Sequence, residues 1–148
     1  MGAESAADRA IARLFELGVL LAQGMDRELA EQGLSRARSE VIWRLHQNGP
    51  VTQRELSQAL RCTPRNVTGL VDALEEMGLV ARQSHPTDRR ATLVTLTEPG
   101  MKLVRSWDSG YKRLAADLFG DLPAGEVESF LTALERIVAR LRPAGGVS

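Results

Sequence analysis

Two short groups of basic and polar residues have side chains suited to binding an anionic partner rich in hydrogen-bonding groups. The first group is Arg65, Asn66, Thr68 and Gly69. The second group is Arg89 and Arg90. A guanidinium offers a planar set of donors that fits phosphate and guanine, and short amide side chains can bond base edges. Both groups therefore have the chemistry of DNA contacts, provided that the fold exposes them.

The first group opens a predicted helix that runs from Thr63 to Gly78. Thr63 is suited to the N-cap, Pro64 to the first helical position, and Gly78 to the left-handed residue that ends a helix. Apolar residues recur at helical spacing behind the polar group: Val67, Leu70, Val71, Leu74 and Met77. The pattern predicts a helix that buries its back and presents Arg65, Asn66 and Thr68 near its start.

A shorter helix is predicted just before it, because Thr52 and Glu55 have the spacing of a capping box. This helix ends near residues 60–61, and about three residues connect it to Thr63. So short a connection requires the two helices to cross steeply, as in a helix-turn-helix.

A β-hairpin is predicted directly after Gly78. Residues 79–84 and 91–96 have strand composition, and residues 85–90 combine turn residues with a basic tip. A steeply crossed helix pair followed by such a hairpin is a winged helix-turn-helix pattern. An arginine at the wing tip can enter a narrow minor groove, where the negative potential is enhanced.

Long amphipathic helices flank this central unit, at about residues 7–33 and 98–142. The predicted fold is therefore mainly α with a small β-hairpin wing, and with a winged helix-turn-helix at about residues 35–97. Pairing the terminal helices with those of a second copy would bury their apolar faces, whereas an intramolecular bundle is the alternative. We predict dimerisation, since a DNA-binding protein with one recognition helix per copy can bind two half-sites when it pairs with a second copy.

Composition narrows the function classes. The 148 residues carry 17 Arg, 2 Lys and 19 acidic residues, so the formal net charge is zero and any nucleic acid must be held by local charge. One Cys and two His argue against a structural zinc site, and no catalytic motif points to an enzyme or a cofactor. Without a signal peptide or membrane span, a cytoplasmic protein is expected. A module that binds protein instead of DNA remains the alternative, supported by the neutral charge.

The central block resembles the MarR family of bacterial winged helix-turn-helix regulators. Three segments carry the resemblance: GPVTQRELSQAL, TPRNVTGLVDALEEMGLVAR and HPTDRRATLVTLTEPG. The resemblance extends from about Ile11 to Leu141, and it implies a single domain over residues 1–148. It also implies a homodimer, usually a repressor, that binds a pseudo-palindromic double-stranded DNA operator.

The resemblance also assigns roles to residues. Arg65, Asn66 and Thr68 match positions that contact bases or phosphates, while Thr63 and Pro64 set the helix end. Arg90 matches the wing-tip arginine, which Asp88 would orient by a salt bridge, and Arg89 would reach a backbone phosphate. Gly69 stands where many relatives have Arg or Lys, so one major-groove contact differs here.

Many members of the family bind a small phenolic or lipophilic anionic effector, which shifts the dimer between half-site spacings. Trp43, His46 and Trp107 could form walls of such a pocket, although each could equally be a packing residue. Other members sense oxidants through a cysteine in the first helix, where this chain has none. Cys62 lies just before the helix predicted from Thr63 to Gly78. It could act as a redox sensor or as a small apolar residue packed against Val67.

Overall fold

The computed structural model describes residues 5–143, in which six helices and three short strands follow one another. In chain order they are α1 (Ala6–Glu31), α2 (Arg36–Asn48), β1 (Val51–Thr52), α3 (Gln53–Leu60), α4 (Pro64–Glu76), β2 (Val80–Ser84), β3 (Thr92–Leu96), α5 (Glu98–Phe119) and α6 (Ala124–Leu141). The mainly α fold with a β-hairpin is thereby confirmed. The bounds of α1, α4, β2 and β3 agree with the predicted ones to within about two residues.

The predicted helix caps are present. The Thr63 hydroxyl accepts a hydrogen bond from the Asn66 amide at 3.2 Å, and Pro64 is the first residue of α4. Thr52 and Glu55 form the predicted capping box at the start of α3. Gly78 adopts φ +73° just after α4, where its lack of a Cβ permits the left-handed turn into β2.

One strand was not predicted from the sequence. Val51 and Thr52 form β1, which pairs antiparallel with β3 through Val51–Val94 and Thr52–Leu93. The sheet order is β1-β3-β2, and β2 and β3 form the hairpin. β1 therefore connects the start of α3 directly to the wing strand that returns from the tip.

The described residues divide into two compact units on either side of the bond between Val104 and Arg105. The first unit contains the core, which lies between α2, α3, α4 and the sheet. Its fully or almost fully buried side chains include Val41, Ile42, Leu45, Leu56, Val67, Val71, Leu74, Val80 and Val94. These residues fix the position of α4 against the rest of the unit.

The second unit contains α5 from Arg105 onward and all of α6. Within it, the rings of Phe119 and Phe130 lie 6.0 Å apart, and no residue of α6 is buried. The prediction of one domain over 1–148 includes residues 1–4 and 144–148, which lie outside the described residues. It stays a prediction.

Candidate nucleic-acid interface

The start of α4 presents the polar face that the sequence predicts. Val67, Val71 and Leu74 on the back of the helix have no exposed surface. The residues named as DNA contacts on this segment are all exposed: Thr63, Pro64, Arg65, Asn66, Thr68 and Gly69. The start of α4 thus exposes Arg65, Asn66 and Gly69 on a helix whose opposite face is buried.

Thr68 is the most constrained member of this face. Its hydroxyl donates to the Pro64 carbonyl at 3.0 Å and accepts from the Gln53 side-chain amide at 3.3 Å. Gly69 is the opposite case, because a Cβ built there would meet no atom within 4 Å. The site of the missing Arg or Lys side chain is therefore open.

The connection between α3 and α4 is held by its own hydrogen bonds. The Ser57 hydroxyl donates to the Cys62 carbonyl at 2.6 Å, and the Cys62 amide donates to the Ser57 carbonyl at 3.2 Å. Arg61 bridges the two helices in the left-handed region, at φ 51° and ψ 42°. Cys62 itself is half-buried.

The wing loop is closed by a histidine that the sequence reasoning did not single out. Nδ1 of His85 accepts hydrogen bonds from the backbone amides of Thr87 (3.2 Å) and Asp88 (3.0 Å). The Ala91 amide then donates to the Asp88 carbonyl at 3.1 Å. The sequence signal for this loop was a histidine, His85, followed by turn-forming residues and by Asp88 three positions later.

The predicted salt bridge between Asp88 and Arg90 takes a different form. The Asp88 carboxylate accepts from the backbone amide of Arg90 at 2.9 Å, and no ion pair joins these two side chains in the described residues. Asp side chains readily bond the amide two residues further along, which competes with the side-chain pair. Asp88 therefore shapes the turn, and the exposed guanidinium groups of Arg89 and Arg90 are left available.

A second missed feature is the network around Arg82 on β2. Its Nη2 donates to Asp72 at 2.6 Å, its Nη1 to Glu75 at 3.0 Å and its Nε to the Gln53 side chain at 2.9 Å. These bonds connect β2 to both α4 and α3. The Arg82 guanidinium is thus engaged by bonds within the first unit, so this basic residue is not free to bind DNA.

The remaining arginines of the helix-turn-helix and wing carry unneutralised charge. Within residues 5–143, no ion pair involves Arg54, Arg61, Arg65, Arg89 or Arg90. Asp72 and Glu75, toward the far end of α4, are engaged by Arg82. Positive charge is therefore free at the start of α4 and on the wing, while Asp72 and Glu75 are already paired with Arg82.

Two of the candidate effector residues are neighbours on α2. The ring centroids of Trp43 and His46 lie 5.6 Å apart, and Trp43 is 42% exposed. Trp107, the third candidate, lies on α5.

Other kinds of site find no support in the part of the chain that the structure describes. No group of three His, Cys, Asp or Glu side chains in residues 5–143 could hold a metal ion. No helix there has the length and apolar character needed to cross a bilayer.

Comparisons with known proteins find a matching family model and several transcriptional regulators of similar sequence. The model of the MarR family matches residues 34–92, from just before α2 to the start of β3. The HTH-type transcriptional regulator MhqR of Bacillus subtilis is 26% identical over 113 residues, which is 76% of this chain and 78% of MhqR. The B. subtilis regulators YhbI and YdgJ are each 28% identical, and the chain spans only 57% and 64% of their lengths.

Solved structures show the same fold. The MepR–DNA complex of Staphylococcus aureus is similar with a TM-score of 0.75 at 25% identity, covering 88% of this chain and 99% of MepR. RV1404 of Mycobacterium tuberculosis has a TM-score of 0.82 at 24% identity and covers 99% of both chains.

Proposed function

We propose that this chain is a member of the MarR family, whose model matches residues 34–92, and that it is a DNA-binding transcriptional regulator. In this proposal it acts in the cytoplasm as a homodimeric repressor, and a small molecule releases it from a pseudo-palindromic operator. One observation carries the proposal: α4 has a fully buried back and an exposed, unpaired Arg65 at its start. The similarity to MepR, which was solved bound to DNA, also supports a DNA-binding function.

The proposed contacts divide into readout and positioning. Arg65 and Asn66 would contact base edges in the major groove, with Thr68 and Gly69 allowing close approach of the helix. Arg90 would enter the neighbouring minor groove, and Arg89 would bind a phosphate. The hydrogen-bonded wing loop supports these roles because it fixes the backbone that carries both arginines.

Dimerisation is supported by apolar side chains that the single chain leaves in water. On α1, Phe15 is 72% exposed and Met25 is 59% exposed, and on α5 Tyr111 is 76% exposed. Exposed apolar surface on long helices is typical of an interface with another chain. A two-fold pair would present two α4 helices to half-sites about 34–36 Å apart.

The effector would be a small phenolic or lipophilic anion. The contacting rings of Trp43 and His46 offer an aromatic surface and a hydrogen-bonding nitrogen on α2. If such a ligand binds one dimer geometry better than another, it shifts the population away from the form that fits the operator.

The wing assignment is tested by one alanine variant of the wing and one control variant on another helix. Arg90→Ala should weaken binding to a labelled operator duplex in fluorescence anisotropy, while light scattering should still give a dimer. Arg27→Ala removes the same charge from α1, which carries none of the proposed DNA contacts, and should bind like the parent. Unchanged operator affinity for Arg90→Ala would refute the wing assignment.

A further inference from the structure

A groove of about 830 Å³ lies beside the start of α4, between α2, α3 and α4. One arginine from each side of the α3–α4 connection and one from α2 line it: Arg38, Arg61 and Arg65. Glu40 also lines the groove, but its carboxylate is paired with Arg44 at 3.3 Å. The groove is therefore lined by three guanidinium groups and one carboxylate that already has a partner.

Neither Arg38 nor Arg61 is used up by contacts inside the protein. Arg38 is half-buried, and its Nη1 donates to the Gly33 carbonyl at 3.3 Å. Arg61 is exposed, and no ion pair of the described residues includes either side chain. Several donors on each guanidinium therefore remain available to an anion in the groove.

The backbone at Arg61 supplies an independent observation. Arg61 is the one non-glycine residue with a positive φ in the described chain, and it adopts the left-handed conformation that glycine accommodates without a steric cost. Its backbone ends α3, since the Arg61 amide donates to the Ser57 and Gln58 carbonyls, and its exposed side chain takes part in no ion pair of the described residues. Glycine would end the helix at lower steric cost, so an arginine at this position points to a role of its side chain in binding.

We propose that Arg38 and Arg61 bind backbone phosphates of DNA and, with Arg65, form a phosphate clamp beside the base-contacting face of α4. This inference rests on the proposed DNA-binding function and extends it to residues that the wing and α4 assignments leave out. Arg65 belongs to both surfaces, because it lines the groove and stands on the first turn of α4. An occupant with regularly spaced anionic oxygens that contacts α4 would meet Arg38 and Arg61 in the same approach. The planar guanidinium fork suits phosphate oxygens.

The clamp is tested with a sequence-independent probe, because phosphate contacts do not depend on the operator. A fluorescein-labelled 30-base-pair duplex of mixed sequence is titrated at several salt concentrations with the parent, Arg38→Ala, Arg61→Gly and the double variant. Arg61→Gly suits the backbone at this position, so it should fold, which thermal melting checks. Arg61→Lys keeps the charge, and Arg27→Ala is the control for loss of a positive charge that does not line the groove.

Each phosphate contact contributes about 0.9 to the slope of log Kobs against log salt, or about eightfold in affinity at 0.1 M salt. We expect Arg38→Ala and Arg61→Gly each to lose that amount per bound copy, and the double variant to lose both. Arg61→Lys should retain the parental slope, as should Arg27→Ala.

The outcomes separate this inference from the proposed function. Parent-like slopes and affinities for Arg38→Ala and Arg61→Gly, with a parent that binds, would overturn the clamp alone. Loss of slope in Arg61→Lys as large as in Arg61→Gly would also overturn it, because the charge would not be the cause. A parent without salt-dependent binding would overturn both the clamp and the proposed function.

Discussion

Replacing Arg82 with methionine tests how the wing is held against the recognition helix. Methionine keeps much of the apolar stem, so the change removes mainly the bonds to Asp72, Glu75 and Gln53. The side chain of Arg82 is only 23% exposed, whereas those of Asp72 and Glu75 are 60% and 44% exposed. The energetic value of each ion pair must therefore be discounted for screening by water.

The magnitude follows from these exposures. Each partly exposed ion pair is worth about 0.5 kcal/mol. The bond to Gln53, which lies in a partly buried setting, is worth about 1 kcal/mol. Arg82→Met should lower the free energy of unfolding by about 2 kcal/mol, and Arg82→Lys by about half as much because a lysine cannot make all three bonds. DNA affinity should fall too, since the wing strand loses its bonds to α3 and α4.

Chemical denaturation at a fixed protein concentration measures the loss, because dimerisation would make stability depend on concentration. Arg44→Met is the matched control: its single pair with Glu40, at 3.3 Å on one face of α2, predicts a change of less than about 0.5 kcal/mol. Equal stabilities for Arg82→Met and Arg44→Met would refute the reasoning.

Three further substitutions have definite expected effects. Gly100→Ala should lower the free energy of unfolding by about 3 kcal/mol in urea, because the new Cβ would lie 2.2 Å from the Leu79 carbonyl oxygen; parental stability would contradict the close packing. Gly69→Ala should raise the melting temperature, since its Cβ meets open space and alanine favours the helix by about 1 kcal/mol. The Thr52 backbone amide, and then its hydroxyl, hold the pKa of Glu55 below its ordinary value of 4.5. Glu55 therefore stabilises the fold above pH 4.5 and loses this effect as the pH falls through the lowered pKa. Glu55→Gln should make the free energy of unfolding fall less steeply with decreasing pH in the acid range. An unchanged pH dependence would argue against the capping box.

Local signals made most of the fold predictable. The caps at Thr52 and Thr63 and the turn at Gly78 involve residues within five positions of one another, so the sequence displays them directly. The two wing strands were also predictable, because residues 79–84 and 91–96 have strand composition and flank a turn segment. The placement of Arg65 on the exposed face of α4 followed from the apolar period behind it.

Features that depend on distant pairing were missed. β1 is only two residues long, and it exists because Val51 meets Val94 across the sheet. Arg82 bonds Gln53, which is 29 positions away, so its charge could not be recognised as occupied. The predicted salt bridge in the wing was wrong because Arg90 offers two nearby donors. Asp88 bonds the Arg90 backbone amide instead of its guanidinium.

Titration of the parent protein onto DNA tests the central claim most directly. The duplexes would be the DNA that flanks its own gene and a scrambled duplex of equal length, each measured by fluorescence anisotropy across a salt series. The account predicts tighter binding to the flanking duplex, with a slope of about −0.9 for each phosphate neutralised. Equally weak binding to both duplexes at every salt concentration, also for duplexes selected from the whole genome, would contradict it.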